Sequence, residues 1–146
     1  MSTRKPISED FVKRSVIKFL SKKGWGTNLD FNDLRHHGVD IAVRNNRFGR
    51  WFFIETKGVS TTPSGPENAF IYSLGQIITR MNIAKARYYY GLGLPEVAAK
   101  IAIRRIPYQV AKKVLLHVLA VADDGNVEWY KPVDIKKHQL QLKKAG

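Results

Sequence analysis

Residues 38–58 read GVDIAVRNNRFGRWFFIETKG, and the fold turns on them. Two runs, 39–44 and 50–57, are rich in apolar and β-branched or aromatic residues, as pleated strands require. Between them lie Asn45, Asn46 and Gly49, residue types that tolerate the positive φ of a tight turn. The stretch therefore reads as a β-hairpin. If its strands pair symmetrically about Arg47 and Phe48, Asp40 stands directly opposite Glu55. Opposed residues share a face of the sheet, with Cβ atoms about 4.5–5.5 Å apart. Lys57 lies two residues past Glu55 and so projects on that same face. Two acids and a lysine are expected to converge on one point.

Carboxylates that close repel unless a cation lies between them, and such oxygen ligands suit a hard divalent ion such as Mg²⁺. An Asp followed by Glu-x-Lys on the second strand of a hairpin resembles the PD-(D/E)xK nuclease superfamily. That is the fold of many restriction endonucleases and Holliday junction resolvases. Asp40, Glu55 and Lys57 fall on its three signature positions, and Val39 stands where the name-giving proline would be. A helix before the motif and another after it extend the likeness over residues 8–94. The resemblance implies an α/β fold: a restriction-endonuclease-like core whose central mixed β-sheet is flanked by helices. It also implies hydrolysis of phosphodiester bonds in DNA with Mg²⁺ (or Mn²⁺). Asp40, Glu55 and the carbonyl of Thr56 would hold the ion, and Lys57 would position the attacking water. Many relatives act as dimers. The alternative is a catalytically silent nucleic-acid-binding module of the same fold.

The chain has 146 residues, the size of a single domain, 1–146, and 44% of them are hydrophobic, enough for a real core. It has no cysteine, hence no disulfide framework and no thiolate metal site. Its four histidines lack zinc-site spacing. No apolar run has the length of a membrane span, and the N-terminal residues are polar, so a cytoplasmic protein is expected. The balance of 25 basic and 12 acidic residues gives a net charge of +13, which points to a polyanionic partner. Nucleic acid is the first candidate, DNA ahead of RNA. A membrane surface fits less well, because no basic amphipathic helix carries an aromatic apolar face. An acidic protein partner is a further alternative.

Ser8 reads as the N-cap of a helix whose apolar face is Val12, Val16, Phe19 and Leu20, ended by Gly24. Residues 25–31 read as extended and 32–37 as a polar loop. After the hairpin, 58–66 read as a Pro/Gly-rich loop, either a substrate contact or a plain connector. A helix is expected over 67–84, packed through Phe70, Leu74, Ile77, Ile78 and Met81, and then a Tyr-rich strand over 87–92. Residues 95–114 read as two basic helices broken at Pro107. An apolar strand over 115–122, a turn at Asp123-Asp124-Gly125 and a partner strand over 127–131 form a C-terminal β-hairpin, expected as an addition at one end of the core. The tail from Pro132 is polar and basic, either helical or loose.

Further candidates surround the motif. Related nucleases often place an acid on the first helix facing the metal. Glu9 or Asp10 fits that role, although both also fit a helix N-terminus for dipole reasons alone. Several nuclease families carry a glutamine on the helix after the motif, here Gln76, with Arg80 four residues on and able to meet a phosphate. His37, just ahead of Gly38-Val39-Asp40, is either a phosphate contact or an ordinary loop histidine. Lys100, Arg104, Arg105, Lys112 and Lys113 are the candidate phosphate-backbone contacts.

Overall fold

Asn45 closes the central hairpin. Its carbonyl accepts from the Phe48 and Gly49 N–H groups at 3.3 and 2.8 Å, and its Oδ1 accepts from Arg47 N–H at 3.1 Å. Gly49 takes a φ of 64°, which a side chain would resist. A computed structural model of the chain describes residues 5–26, 39–45, 47–81 and 88–145. The hairpin comprises β1 (Ile41–Asn45) and β2 (Arg50–Thr56), antiparallel, with Ile41 opposite Ile54 and Asn45 opposite Arg50. That register is the symmetric one.

Next to β2 run β3 (Tyr88–Pro95) and then β4 (Leu116–Val121), both parallel to it, and β5 (Val127–Tyr130) closes the far edge antiparallel to β4. The sheet is thus mixed and five-stranded, in the order β1-β2-β3-β4-β5. Parallel neighbours need crossovers. These are α2 (Gly65–Thr79) between β2 and β3, and α3 (Glu96–Arg105) with α4 (Tyr108–Val114) between β3 and β4.

Alternation along the strands sorts the side chains into two layers. On one face Ile41, Val43, Phe52 and Ile54 pack with Val12, Val16 and Leu20 of α1 (Glu9–Ser21). On the other, Ala42, Phe53, Leu92 and Val118 meet α2, α3, α4 and α5 (Pro132–Ala145) through Phe70, Ile77, Ala102, Ala111 and Ile135. Burying a side chain such as Phe52 or Ile54 contributes about 1.5–3 kcal/mol. On α5, Gln139 ties back to the end of α3, its Nε2–H donating to the carbonyls of Ile103 and Ile106. Among the described residues no helix is long and apolar enough to cross a membrane.

Three expectations change. The C-terminal hairpin is not an appendage: β4 is buried along its whole length between β3 and β5, so of its two strands only β5 is at an edge of the sheet. Residue 65, not 67, begins α2, because Pro66 in the first turn needs no N–H partner and its fixed φ suits a helix start. Ile78 is 52% exposed and does not join the core. The tail is helical as α5. The segments 27–38 and 82–87 lie outside the described residues.

Candidate active site

Asp40 immediately precedes β1, and the strand register puts it across from Glu55. Both share the face of Ala42 and Phe53, the one covered by α2. At this point the β1 ladder ends, and the Asp40 side chain takes over its work. Asp40 Oδ2 accepts from the Thr56 backbone N–H at 2.9 Å and from the Thr56 hydroxyl at 3.2 Å.

Glu55 is only 3% exposed, and its Oε1 has no hydrogen-bond partner among the described residues. An orphaned buried carboxylate oxygen is costly. Burial, first of all, and then the Asp40 charge and a hydrogen bond between the two side chains push the Glu55 carboxyl up from 4.5 to about 8. The field of Arg80 opposes this rise, and Glu9 adds weakly to it. Without a cation, the Glu55 carboxyl keeps its proton at neutral pH.

Lys57 completes the motif on the same face. Its Nζ lies 3.8 Å from Glu9 Oε1 and 4.8 Å from the centre of the Tyr72 ring. Glu9 reaches this point because the chain before α1 runs along the end of β2, where Ile7 and Val59 exchange backbone hydrogen bonds at 3.0 and 2.8 Å. Gly58 makes the approach possible: a Cβ there would fall 2.7 Å from Glu9 N and would also collide with the Ile7 carbonyl. Asp10 takes no part, since it pairs with Arg14 at 2.8 Å on the exposed side of the helix. Of the two first-turn acids, Glu9 is the one at the site.

On α2, Tyr72, Gln76 and Arg80 are spaced four residues apart and so form one stripe. Tyr72 touches Lys57 and Arg80 acts on Glu55, which leaves half-buried Gln76 between the two contacts. Reading the sequence alone missed Tyr72, which is 62% exposed. Its signal was an aromatic residue one turn before Gln76. In the loop ahead of α2, Val59 is buried while residues 60–64 are exposed, with the Ser60 and Thr62 hydroxyls 2.9 Å apart. His37 lies outside the described residues.

Does this set suit a divalent ion? Among the described residues no group of three or more His, Asp or Glu side chains is clustered to hold a metal unaided. Mg²⁺ does not require one, since it commonly keeps several waters and takes one or two carboxylates. An orphaned Glu55 Oε1 beside Asp40 matches that demand. Asp40, Glu55 and the main chain at Thr56 are the residues that fit the ion. Thr56 also engages Asp40 through its N–H and hydroxyl.

The basic residues expected to grip a phosphate backbone lie on α3 and α4. Lys100, Arg104 and Lys113 are exposed on α3 and α4. Arg105 is committed to α2, paired with Glu67 at 2.7 Å and lying 5.4 Å over the Phe70 ring. Lys112 lines a separate cavity beside Tyr89 and His117, which project from the opposite face of the sheet. No family model, no curated protein and no solved structure matches this chain.

Proposed function

We propose that the chain is a divalent-metal-dependent endonuclease that hydrolyses phosphodiester bonds in DNA, with Mg²⁺ or Mn²⁺ as cofactor. One observation carries the reading: a buried, unpartnered carboxylate oxygen on Glu55 beside a second carboxyl, with a lysine on the same face. When bound, the ion would polarise a phosphoryl oxygen and lower the pKa of an attacking water. Asp40 and Glu55 supply the negative oxygens that hold it. Lys57 supplies a positive charge where the transferring phosphoryl group gains negative charge. Glu9, 3.8 Å away, and the Tyr72 ring position that ammonium group. Arg80 and Gln76 border the site from α2 as phosphate contacts. A cytoplasmic location, where DNA and Mg²⁺ are both available, goes with this reading.

One observation favours a second reading, a binding module that does not cut. Asp40 already has a structural use, because it satisfies the Thr56 N–H and hydroxyl at the end of the hairpin. Asp40→Asn separates the two, since an amide oxygen can still accept from Thr56 but carries no charge for a metal. Wild type and Asp40→Asn are to be incubated with plasmid, linear duplex and single-stranded DNA in Mg²⁺, Mn²⁺ or chelator. Metal-dependent cleavage by wild type alone supports the nuclease. DNA binding without cleavage by either protein in either metal rejects it in favour of the binding module.

A further inference from the structure

Behind the Asp40–Glu55 pair, on the sheet face that carries α1, lies a cluster of rings. Trp25, Phe52, Tyr89, His117 and Trp129 pack together there with centroids 4.4 to 6.4 Å apart. Two cavities open on it. One, of about 370 Å³, lies between Tyr89, His117 and the start of α5, and includes Tyr108. The other, of about 560 Å³, runs from Tyr89 and Trp129 out to Phe48 at the hairpin tip. Tyr89 and Lys131 line both, so the two are halves of one groove.

Its charge is one-sided. Lys23, Arg50 and Lys131 line one half, and Lys112, Lys131 and Lys136 the other, with no acidic residue along either among the described residues. Several of these cations already lie over rings: Arg50 over Tyr89 at 4.8 Å, Lys131 over Trp129 at 5.2 Å and Lys136 over Tyr108 at 5.5 Å. The groove therefore alternates flat π surfaces with positive charge.

A second observation asks for a ligand. His117 is 2% exposed and lines the smaller cavity. Trp129 Nε1–H donates to its Nδ1 at 2.9 Å, and burial, then the charges of Lys131 and Arg50, lower its pKa to about 3. The ring is neutral at physiological pH, so its one proton sits on Nε2. That Nε2–H has no acceptor among the described residues. The groove thus offers cations, an unpaired donor buried in its wall and rings that are partly or, at Phe48, largely exposed. The matching ligand has anionic groups, acceptor atoms and planar rings at short intervals. A duplex hides its base faces in its own stack, whereas an unpaired strand presents bases and phosphates together.

We propose that this groove binds a single-stranded segment of nucleic acid, its bases stacked on Phe48, Tyr89 and Trp129 and its phosphates held by Arg50, Lys131 and Lys136. The proposal does not rest on hydrolysis at Asp40 and Glu55.

Fluorescence anisotropy in chelator tests it without any need for cleavage. The probes are a labelled oligothymidylate of about 12 nucleotides, within the usual single-strand site sizes, the matching duplex, and thymidine monophosphate as competitor. The single strand should bind more tightly than the duplex, and the mononucleotide should compete poorly. Phe48 is 64% exposed, so Phe48→Ala leaves the core intact. It should weaken the single strand about tenfold with an unchanged salt slope. Combining Lys131→Ala with Lys136→Ala should lower the slope of log K against log salt by about 1.4, at roughly 0.7 per phosphate contact. Single-strand affinity unmoved by either variant would overturn the proposal. So would duplex bound as tightly as the single strand, or competition by the mononucleotide at equal concentration.

Discussion

Replacing Glu55 with Gln should make the metal-free protein more stable in alkali. The carboxyl titrates near 4.5 in the unfolded chain and near 8 in the folded one. Between these values the folded state holds a proton that the unfolded chain has released. The Glu55 contribution to stability is therefore greatest below pH 4.5, falls as pH rises through the window, and levels off above pH 8. At about 1.4 kcal/mol per pH unit the full loss is on the order of 4 to 5 kcal/mol, a large share of a typical domain's stability. With a urea m-value of about 2 kcal/mol per molar, the unfolding midpoint of wild type should fall by about 2 M relative to that of Glu55→Gln between pH 5 and pH 9 in chelator. A glutamine in that position is neutral throughout, so Glu55→Gln should show little of this decline and exceed wild type at pH 9. Excess Mg²⁺ should restore wild type by about 2.7 kcal/mol at a hundredfold over its Kd and leave Glu55→Gln unmoved. Urea titrations at each pH, with and without Mg²⁺, read both effects. Parallel pH profiles for the two proteins would refute the argument, because they would mean that Glu55 ionises freely.

Asp40→Asn should abolish cleavage while its melting temperature stays near that of wild type, and metal-free DNA binding should persist or tighten because a charge facing the phosphate is gone. Lys57→Ala should cut the rate by at least about a hundredfold yet keep the Mg²⁺-dependent rise in melting temperature, since it removes charge stabilisation and no ligand. Gly58→Ala should displace residues 7–9, lowering both the melting temperature and the cleavage rate; wild-type values for both would show that the approach of Ile7 to the strand is not tight. His117, with a folded pKa near 3 against 6.5 unfolded, costs stability as pH falls from 6.5 toward 3, and NMR should find its ring uncharged at pH 5. Its effect opposes that of Glu55, so the two contributions cancel between about pH 4.5 and 6.5, and their sum is greatest there.

The face shared by Asp40 and Glu55 was legible because a hairpin's register follows from its turn, and Asn45 and Gly49 mark that turn. The apolar stripe of α1 was legible for the same kind of reason, a short-range period. The place of β4 was not. Its pairing to β3 is parallel and passes through two helices, so nothing local in residues 116–121 names the neighbour, although an unbroken apolar run is what a strand buried on both faces looks like. The link from Lys57 to Glu9 and Tyr72 joins three distant parts of the chain and rests on a Gly58 that reads simply as a loop residue. Arg105 looked like a free cation, and its commitment to Glu67 lies 38 positions away in sequence.

The turn that Asn45 and Gly49 mark lies at the far end of the hairpin from both carboxyls, yet it is part of whatever chemistry they perform. Asp40 and Glu55 meet only because the number of residues between them keeps both on the same side of a surface that alternates with period two. Deleting one residue from the tip would leave every side chain of the site in the sequence and rotate Asp40 to the α1 side. A pair of residues added or removed would preserve the side but slide Asp40 along the strand. Loop length here behaves as a reading frame, and a variant library that shuffles this tip should lose function at every odd change in length, and stability with it, because the same slip turns Ile41 and Val43 away from the α1 core.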